Sequence, residues 1–98
     1  KSAAGGIINA QNKGLIGDAY VQLQDLANAE KYYQEAVKTN PNDLTTPYYL
    51  KKLGGIYEQN QNYAKALESY EEIRNVYPAS LEARDIAKYI GRASQQEK

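Results

Sequence analysis

No cysteine, histidine, methionine, tryptophan or phenylalanine occurs among the 98 residues. Without cysteine there is no disulfide and no thiolate metal site, while the compartment stays open between cytoplasm and periplasm. Without histidine the commonest general acid–base group and metal ligand is missing, which weakens the case for most hydrolase and metalloenzyme schemes. The absence of methionine, even at position 1, predicts a processed or excised piece of a longer polypeptide. Net charge is lacking too, because twelve Lys and Arg balance twelve Asp and Glu. The halves also balance, with four basic and five acidic residues in 1–43 against eight and seven in 44–98. Such a surface has little electrostatic attraction for phosphate backbones or anionic lipid, so nucleic acid is not an expected partner. No apolar run reaches the length that spans a bilayer, and residues 1–98 are read as a segment without membrane contact. Nor does the start hold the continuous apolar core of a secretory signal.

What the chain does have is repetition. Ile16-Gly17, Tyr20, Ala29, Tyr33 and Pro41 recur as Leu53-Gly54, Tyr57, Ala66, Tyr70 and Pro78, always 37 residues on. Several matches at one offset are the signature of a stacked-repeat architecture, in which each unit packs only on its neighbours. The length allows one domain, 1–98.

Periodicity reads as helix almost throughout. Residues 1–9, with two adjacent glycines, read as a connector. From Ala10 to Gln22 the apolar positions Leu15, Ile16, Ala19, Tyr20 and Leu23 keep helical spacing. Asp25 is placed to cap a second helix carrying Leu26, Ala29, Tyr33, Ala36 and Val37. That helix stops before Asn40-Pro41-Asn42-Asp43. Thr46-Pro47 predicts a fresh start, with threonine as N-cap and proline at the first helical position. A helix over about 47–60 carries Leu50, Leu53, Ile56 and Tyr57, and Asn60-Gln61-Asn62 breaks it. The next, about 63–76, carries Ala66, Leu67, Tyr70 and Ile73. Ser80 can cap a fifth helix, 81–96, with Ala83, Ile86, Ala87, Ile90 and Ala93 along one side, and the polar SQQEK tail is expected to fray. No stretch alternates with period two for long enough to argue a strand. The expectation is an all-α superhelix of antiparallel helix pairs.

The doubled motif resembles the tetratricopeptide repeat, a helix–turn–helix unit of thirty-odd residues. Residues 10–43 match through Ile16-Gly17, Tyr20, Ala29, Tyr33, Ala36 and Pro41. Residues 47–80 match through Leu50, Leu53-Gly54, Tyr57, Ala66, Tyr70 and Pro78, with Ile73 replacing the second alanine and Leu44-Thr45-Thr46 as a small insertion. Glycine and alanine are small where paired helices approach, and the tyrosines are large enough to fill the seams; burying one ring removes about 150–250 Å² from water. Two departures stand out. Gln24 and Gln61 occupy the turn position where the family favours glycine, which leaves a differently shaped turn or a role for Asp25 and Asn62. Lys88 replaces the close-packing glycine of a third unit, so residues 81–96 are expected to be a capping helix with a wet outer side. The stretch from Ile16 to Arg92 also looks like the end of longer bacterial tetratricopeptide proteins with an N-terminal membrane anchor.

In that family the first helices of successive pairs line a concave groove for a partner's peptide or helix. The resemblance implies groove positions Gln11, Gly14, Asp18, Val21 and Gln22, then Tyr48, Lys51, Lys52, Gly55, Glu58 and Gln59, then Glu82, Asp85 and Tyr89. Tyr48 and Tyr89 are the natural anchors. One sub-family grips chaperone tails with a two-carboxylate clamp. Its positions hold Gly14, Asp18, Lys52, Glu82 and Ile86 here, and Asp18 and Glu82 would repel a carboxylate. No catalytic site is expected: Glu71-Glu72 are sequence neighbours on a helix and point apart. Lys51-Lys52 is too short for a nucleic-acid patch, and no cofactor or metal is implied. The expected function is a non-catalytic protein-interaction scaffold. The alternative is self-association as a homodimer through a seam on the N-terminal side.

Overall fold

The computed structural model of the chain describes residues 3–97. It contains helices α1 (Ala3–Gln22), α2 (Leu26–Lys38), α3 (Thr45–Gln59), α4 (Tyr63–Val76) and α5 (Ile86–Glu97), with a 3-10 turn at Glu82–Asp85 before α5. Each helix packs mainly on its neighbours in sequence. In addition α1 touches α3, and the 3-10 turn touches both α3 and α4. The helices form a slab of 44 × 32 × 16 Å with α1, α3 and α5 along one face. The all-α superhelix expected from periodicity is the observed architecture.

Both turns inside the helix pairs have the same construction. Gln24 and Gln61 sit in the left-handed region at φ 60° and 61°. At the end of α1, Gln24 N donates to Val21 O (2.9 Å) and Asp25 N to Tyr20 O (2.9 Å). At the end of α3, Gln61 N donates to Glu58 O (2.9 Å) and Asn62 N to Tyr57 O (2.8 Å). This double closure is the Schellman motif, which normally places glycine at the left-handed residue. The family's turn shape is therefore kept, with glutamine accepting the strain. Asp25 and Asn62 then serve twice, ending one helix and capping the next. Asp25 Oδ1 accepts from Asn28 N (3.2 Å) and Asn62 Oδ1 from Lys65 N (3.4 Å).

Three expectations about helix starts need correction. Of the connector expected over 1–9, Lys1 and Ser2 lie outside the described residues, and α1 runs from Ala3. Glycine weakens a helix, but a Cβ on Gly6 would stand 2.4 Å from the Asn40 side chain, so this glycine lets the α2–α3 loop close onto α1. Asn42, not Thr46, starts α3. Its Oδ1 accepts from Leu44 N and Thr45 N, both at 2.8 Å. Thr46 lies within the first turn and its Oγ1 accepts from Asn42 N at 2.8 Å. Pro47 is the third residue of α3, still within the turn where an N–H has no intrahelical partner. Ser80 Oγ accepts from Ala83 N (3.2 Å) as expected, but it caps the 3-10 turn rather than an α-helix. The tail stays helical to Glu97, and Lys98 lies outside the described residues.

The core is a seam of tyrosine rings against small residues. All ten aromatic residues are tyrosines. A Cβ at Gly17 would meet the Tyr33 ring at 2.7 Å, and one at Gly54 the Tyr70 ring at 2.3 Å, so the same contact closes both pairs. Ala29, Ala36, Ala66 and Ala93 are fully buried. At the joint between pairs, Gln34 Nε2 donates to Tyr57 Oη (2.7 Å). The stripe expected on α1 faces the other way. Its buried side is Ala10, Gly14 and Gly17, whereas Leu15, Ile16, Ala19 and Leu23 are exposed and Tyr20 is half-buried on Tyr32, with ring centroids 5.6 Å apart. The reason is steric: the partner rings need the small face. On α5, Ala87 is exposed, and Ile86 and Ala93 carry the buried contacts. Lys88 is exposed.

Candidate partner-binding face

Along the α1–α3–α5 face two clefts open side by side. One, of about 580 Å³, lies between α1 and α3 and is walled by Ile7, Gln11, Asn12, Leu15, Leu44 and Tyr48, among others. The second, of about 440 Å³, lies between α3 and α5 and is walled by Tyr48, Lys51, Lys52, Glu82, Tyr89 and Arg92, among others. Tyr48 lines both and is 44 % exposed, so it forms the ridge between them. A shallower hollow of about 260 Å³ takes in Val21, Lys52, Gly55 and Gln59. Gln22 is exposed at the end of α1 and lines none of these. Gly14, also expected in the groove, is buried under the Tyr49 ring.

The charged groove residues engage one another. Asp18 on α1 accepts from Tyr33 Oη on α2 and from Lys52 Nζ on α3 (3.0 Å). Glu58 on α3 accepts from Tyr70 Oη on α4 (2.6 Å) and from the Arg92 guanidinium on α5, through Nε (2.9 Å) and Nη2 (2.6 Å). Each carboxylate thus joins its own pair's second helix to the first helix of the next pair. The carboxylate-to-cation spacing, 34 residues, is the same in both. Lys51 and Asp85 add a third link across the second cleft (2.9 Å).

Titration directions follow from these contacts. Burial and the hydrogen bond to a carboxylate push the Tyr33 and Tyr70 hydroxyls well above the usual phenol range. Burial raises Tyr49 too, helped by the charge of Asp18. Burial opposes the Lys52 charge, but Asp18 outweighs it and the ammonium is held above its ordinary value. Burial likewise opposes the Glu58 carboxylate, and hydrogen bonds from Arg92 and Tyr70 prevail and hold it low. Asp85 is lowered chiefly by the hydrogen bond from Lys51.

Cations also gather on the two groove tyrosines. Lys51 Nζ lies 4.5 Å, Arg92 Cζ 4.8 Å and Lys88 Nζ 5.3 Å from the Tyr89 ring centre. Lys52 Nζ lies 5.0 Å from the Tyr48 ring, which meets Tyr49 edge-on at 5.0 Å. Contacts of this kind stabilise by about 0.5–1 kcal/mol each at exposed sites. They leave Tyr48 oriented and partly bare. Among the described residues no group of three His, Cys, Asp or Glu could hold a metal ion, and no helix is long and apolar enough to cross a membrane.

The sequence model of the tetratricopeptide repeat family matches residues 6–79. The chain belongs to that family. Tetratricopeptide repeat proteins 21A and 21B of Mus musculus are similar to it, at 32% identity over 62 residues and 31% over 84. These alignments cover 63% and 86% of this chain but 4% and 6% of the mouse proteins. The uncharacterized protein ycf37 of Guillardia theta is 38% identical over 68 residues, 69% of this chain and 35% of that protein. The chain therefore spans a minor part of each relative. No solved structure matches the chain. Tetratricopeptide repeats are in general protein-interaction modules.

The braces on Asp18 and Glu58 went unnoticed in the sequence, where these residues read as free groove charges. A signal was available. Asp18–Lys52 and Glu58–Arg92 share a spacing close to the repeat length, so opposite charges fall on the facing first helices of successive units.

Proposed function

We propose that this tetratricopeptide repeat chain is a non-catalytic scaffold that holds an extended peptide or helix of a protein partner along the face of α1, α3 and α5. The observation that carries the reading is Tyr48, a half-exposed ring fixed by Tyr49 and Lys52 on the ridge between two open clefts. A ring already fixed in place loses little conformational entropy on binding, which favours it as an anchor. The clefts supply room for side chains on either side. Gln11, Lys51, Gln59 and Tyr89 are the further contacts this reading assigns.

Acidic tails are poor candidates. Lys51, Lys52 and Arg92 are each bonded to a carboxylate of the chain itself, so a bound carboxylate must displace one. Catalysis gains no support from the same residues. Asp18, Glu58 and Asp85 are tied to cations and phenols, and Glu71 on α4 pairs with Arg74 of its own helix at 3.9 Å.

The test is selection of random peptides displayed on phage against the chain, followed by direct binding measurements on the enriched sequences. Tyr48→Ala should weaken the selected peptides by at least about tenfold, the scale of a modest interface anchor. Val76→Ala, on α4 away from both clefts, should leave them unchanged. Peptides that bind Tyr48→Ala as well as the parent chain would falsify this reading.

A further inference from the structure

We propose that α5 and the 3-10 turn before it form a hinged flap over the second cleft, and that two ion pairs of opposite polarity latch this flap to α3 and set the cleft's width.

The two joints between first helices are built differently. At the first, Tyr49 of α3 lies so close on Gly14 of α1 that a Cβ there would stand 2.0 Å from the ring. At the second, the positions 37 residues on are Lys51 and Ile86, and no ring takes the place of Tyr49. A Cβ on Gly55, in the cleft wall, would meet nothing within 4 Å. Apolar contact holds α5 on its other side. The helix packs chiefly on α4, Ile86 and Ala93 are buried in the common core, and the Tyr70 and Tyr89 rings stand 5.5 Å apart. The seam with α4 is therefore the hinge, and the edge toward α3 is the one that can swing.

Charge holds that edge. Lys51 Nζ on α3 donates to Asp85 Oδ1 at 2.9 Å. Glu58 on α3 accepts from Arg92 Nε at 2.9 Å and from Nη2 at 2.6 Å. Lys51 and Glu58 are seven residues apart, and so are Asp85 and Arg92. The signs run plus then minus on α3, and minus then plus on the flap. Sliding the flap by seven residues would set Arg92 against Lys51 or Asp85 against Glu58. Like charges would meet either way, so the pattern accepts one register.

Isolated surface ion pairs contribute little, but a forked arginine–carboxylate contact of good geometry is the exception. The Glu58 side chain is only 14 % exposed, and Tyr70 Oη fixes it from α4. That pair is the firm end of the latch. Lys51 and Asp85 are the wetter end, at 26 % and 48 % exposed. The latch is independent of any partner on the face.

The absence of cysteine makes the test direct, because engineered thiols are then the only ones present. Nitroxide labels on Gln22→Cys at the end of α1 and Gln95→Cys near the end of α5, both exposed positions, report the spread of the face by electron-resonance distance measurement. Asp85→Lys sets two like charges against each other and should lengthen that distance by roughly 2 Å or more, the scale of helix shifts at packed joints. Arg92→Gln, which removes the fork, should lengthen it too. Adding Lys51→Asp to Asp85→Lys rebuilds the pair with its signs exchanged and should restore the parent distance. Labels on Lys31→Cys in α2 and Glu72→Cys in α4 should keep their separation throughout, which places the movement in the flap. Circular dichroism checks that every variant stays helical. An unchanged distance in either Asp85→Lys or Arg92→Gln would overturn the proposal and leave α5 held by its apolar seam alone. So would a lengthened distance that Lys51→Asp fails to restore, or an equal change between the labels on α2 and α4.

Discussion

Glu58 shows how much one side chain can hold together here. Its carboxylate accepts from a phenol on α4 and a guanidinium on α5 while standing on α3. Hydrogen bonds between ionised groups are stronger than neutral ones, and the two-pronged Arg92 contact adds a fixed geometry. The sign of the pH effect follows from the depressed Glu58 titration. A carboxyl with a folded-state value below its unfolded value stabilises the fold above the unfolded value, and that contribution is lost as pH falls through the folded value. Urea midpoints measured from pH 7 down to pH 3 should therefore fall more steeply for the parent chain than for Glu58→Gln. Parallel curves would show that the brace does not contribute. The phenols act at the other end of the scale. Tyr33 and Tyr70, both raised, contribute fully below the ordinary tyrosine range and lose that contribution as pH climbs above it.

Elements are joined by turns whose geometry outranks their residue preferences. Glutamine in the left-handed region costs roughly 1 kcal/mol relative to a residue without a Cβ. Both Gln24 and Gln61 adopt it because two backbone hydrogen bonds close each turn around them. Gln24→Gly and Gln61→Gly should each raise the free energy of unfolding by about 0.5–1 kcal/mol, partly offset by the entropy glycine gives the unfolded chain. Chemical denaturation of the single and double variants checks this, and a loss of stability in either would show that the glutamine side chain has a use of its own. At this scale the sequence was most legible where helical spacing and caps agree. Helix α4 starts and stops where Asn62 and the 63–76 stripe put it, and α2 is capped by Asp25. Reading failed where a choice of face decides. Leu15 and Ile16 on α1 and Leu23 just past its end are bulky and apolar at helical spacing, so they look like core. The tyrosine rings of the neighbouring helices leave room only for glycine at Gly14 and Gly17, and Ala10 is buried on the same side. Of the expected groove positions, Gln11, Tyr48, Lys51, Lys52 and Tyr89 wall the clefts, whereas Gly14 is buried and Gln22 walls neither. What those positions do to each other was not legible, because an ion pair between residues 34 apart depends on how two helix pairs stack.

At the scale of the whole molecule, stability should be graded along the array instead of uniform. Repeat stacks are sums of local terms, and each unit draws support only from its neighbours. Helix α3 packs on α1, α2, α4 and the 3-10 turn, and it anchors both carboxylate braces, through Lys52 at one and Glu58 at the other. Helix α5 packs on α4 and the 3-10 turn, and its last turn holds Ala93 as its inward contact before the exposed Gln95–Glu97. Native-state hydrogen exchange should find the slowest amides in α3 and the facing sides of α2 and α4. The amides of α5 should exchange through opening of that helix alone, with the rest of the stack intact. Arg92→Ala removes the tie between α5 and α3, and it should speed exchange in α5 while leaving α2 unchanged. Equal protection in every helix would mean instead that the stack opens as one cooperative unit, with the two braces making a single body of what the sequence writes as separate repeats.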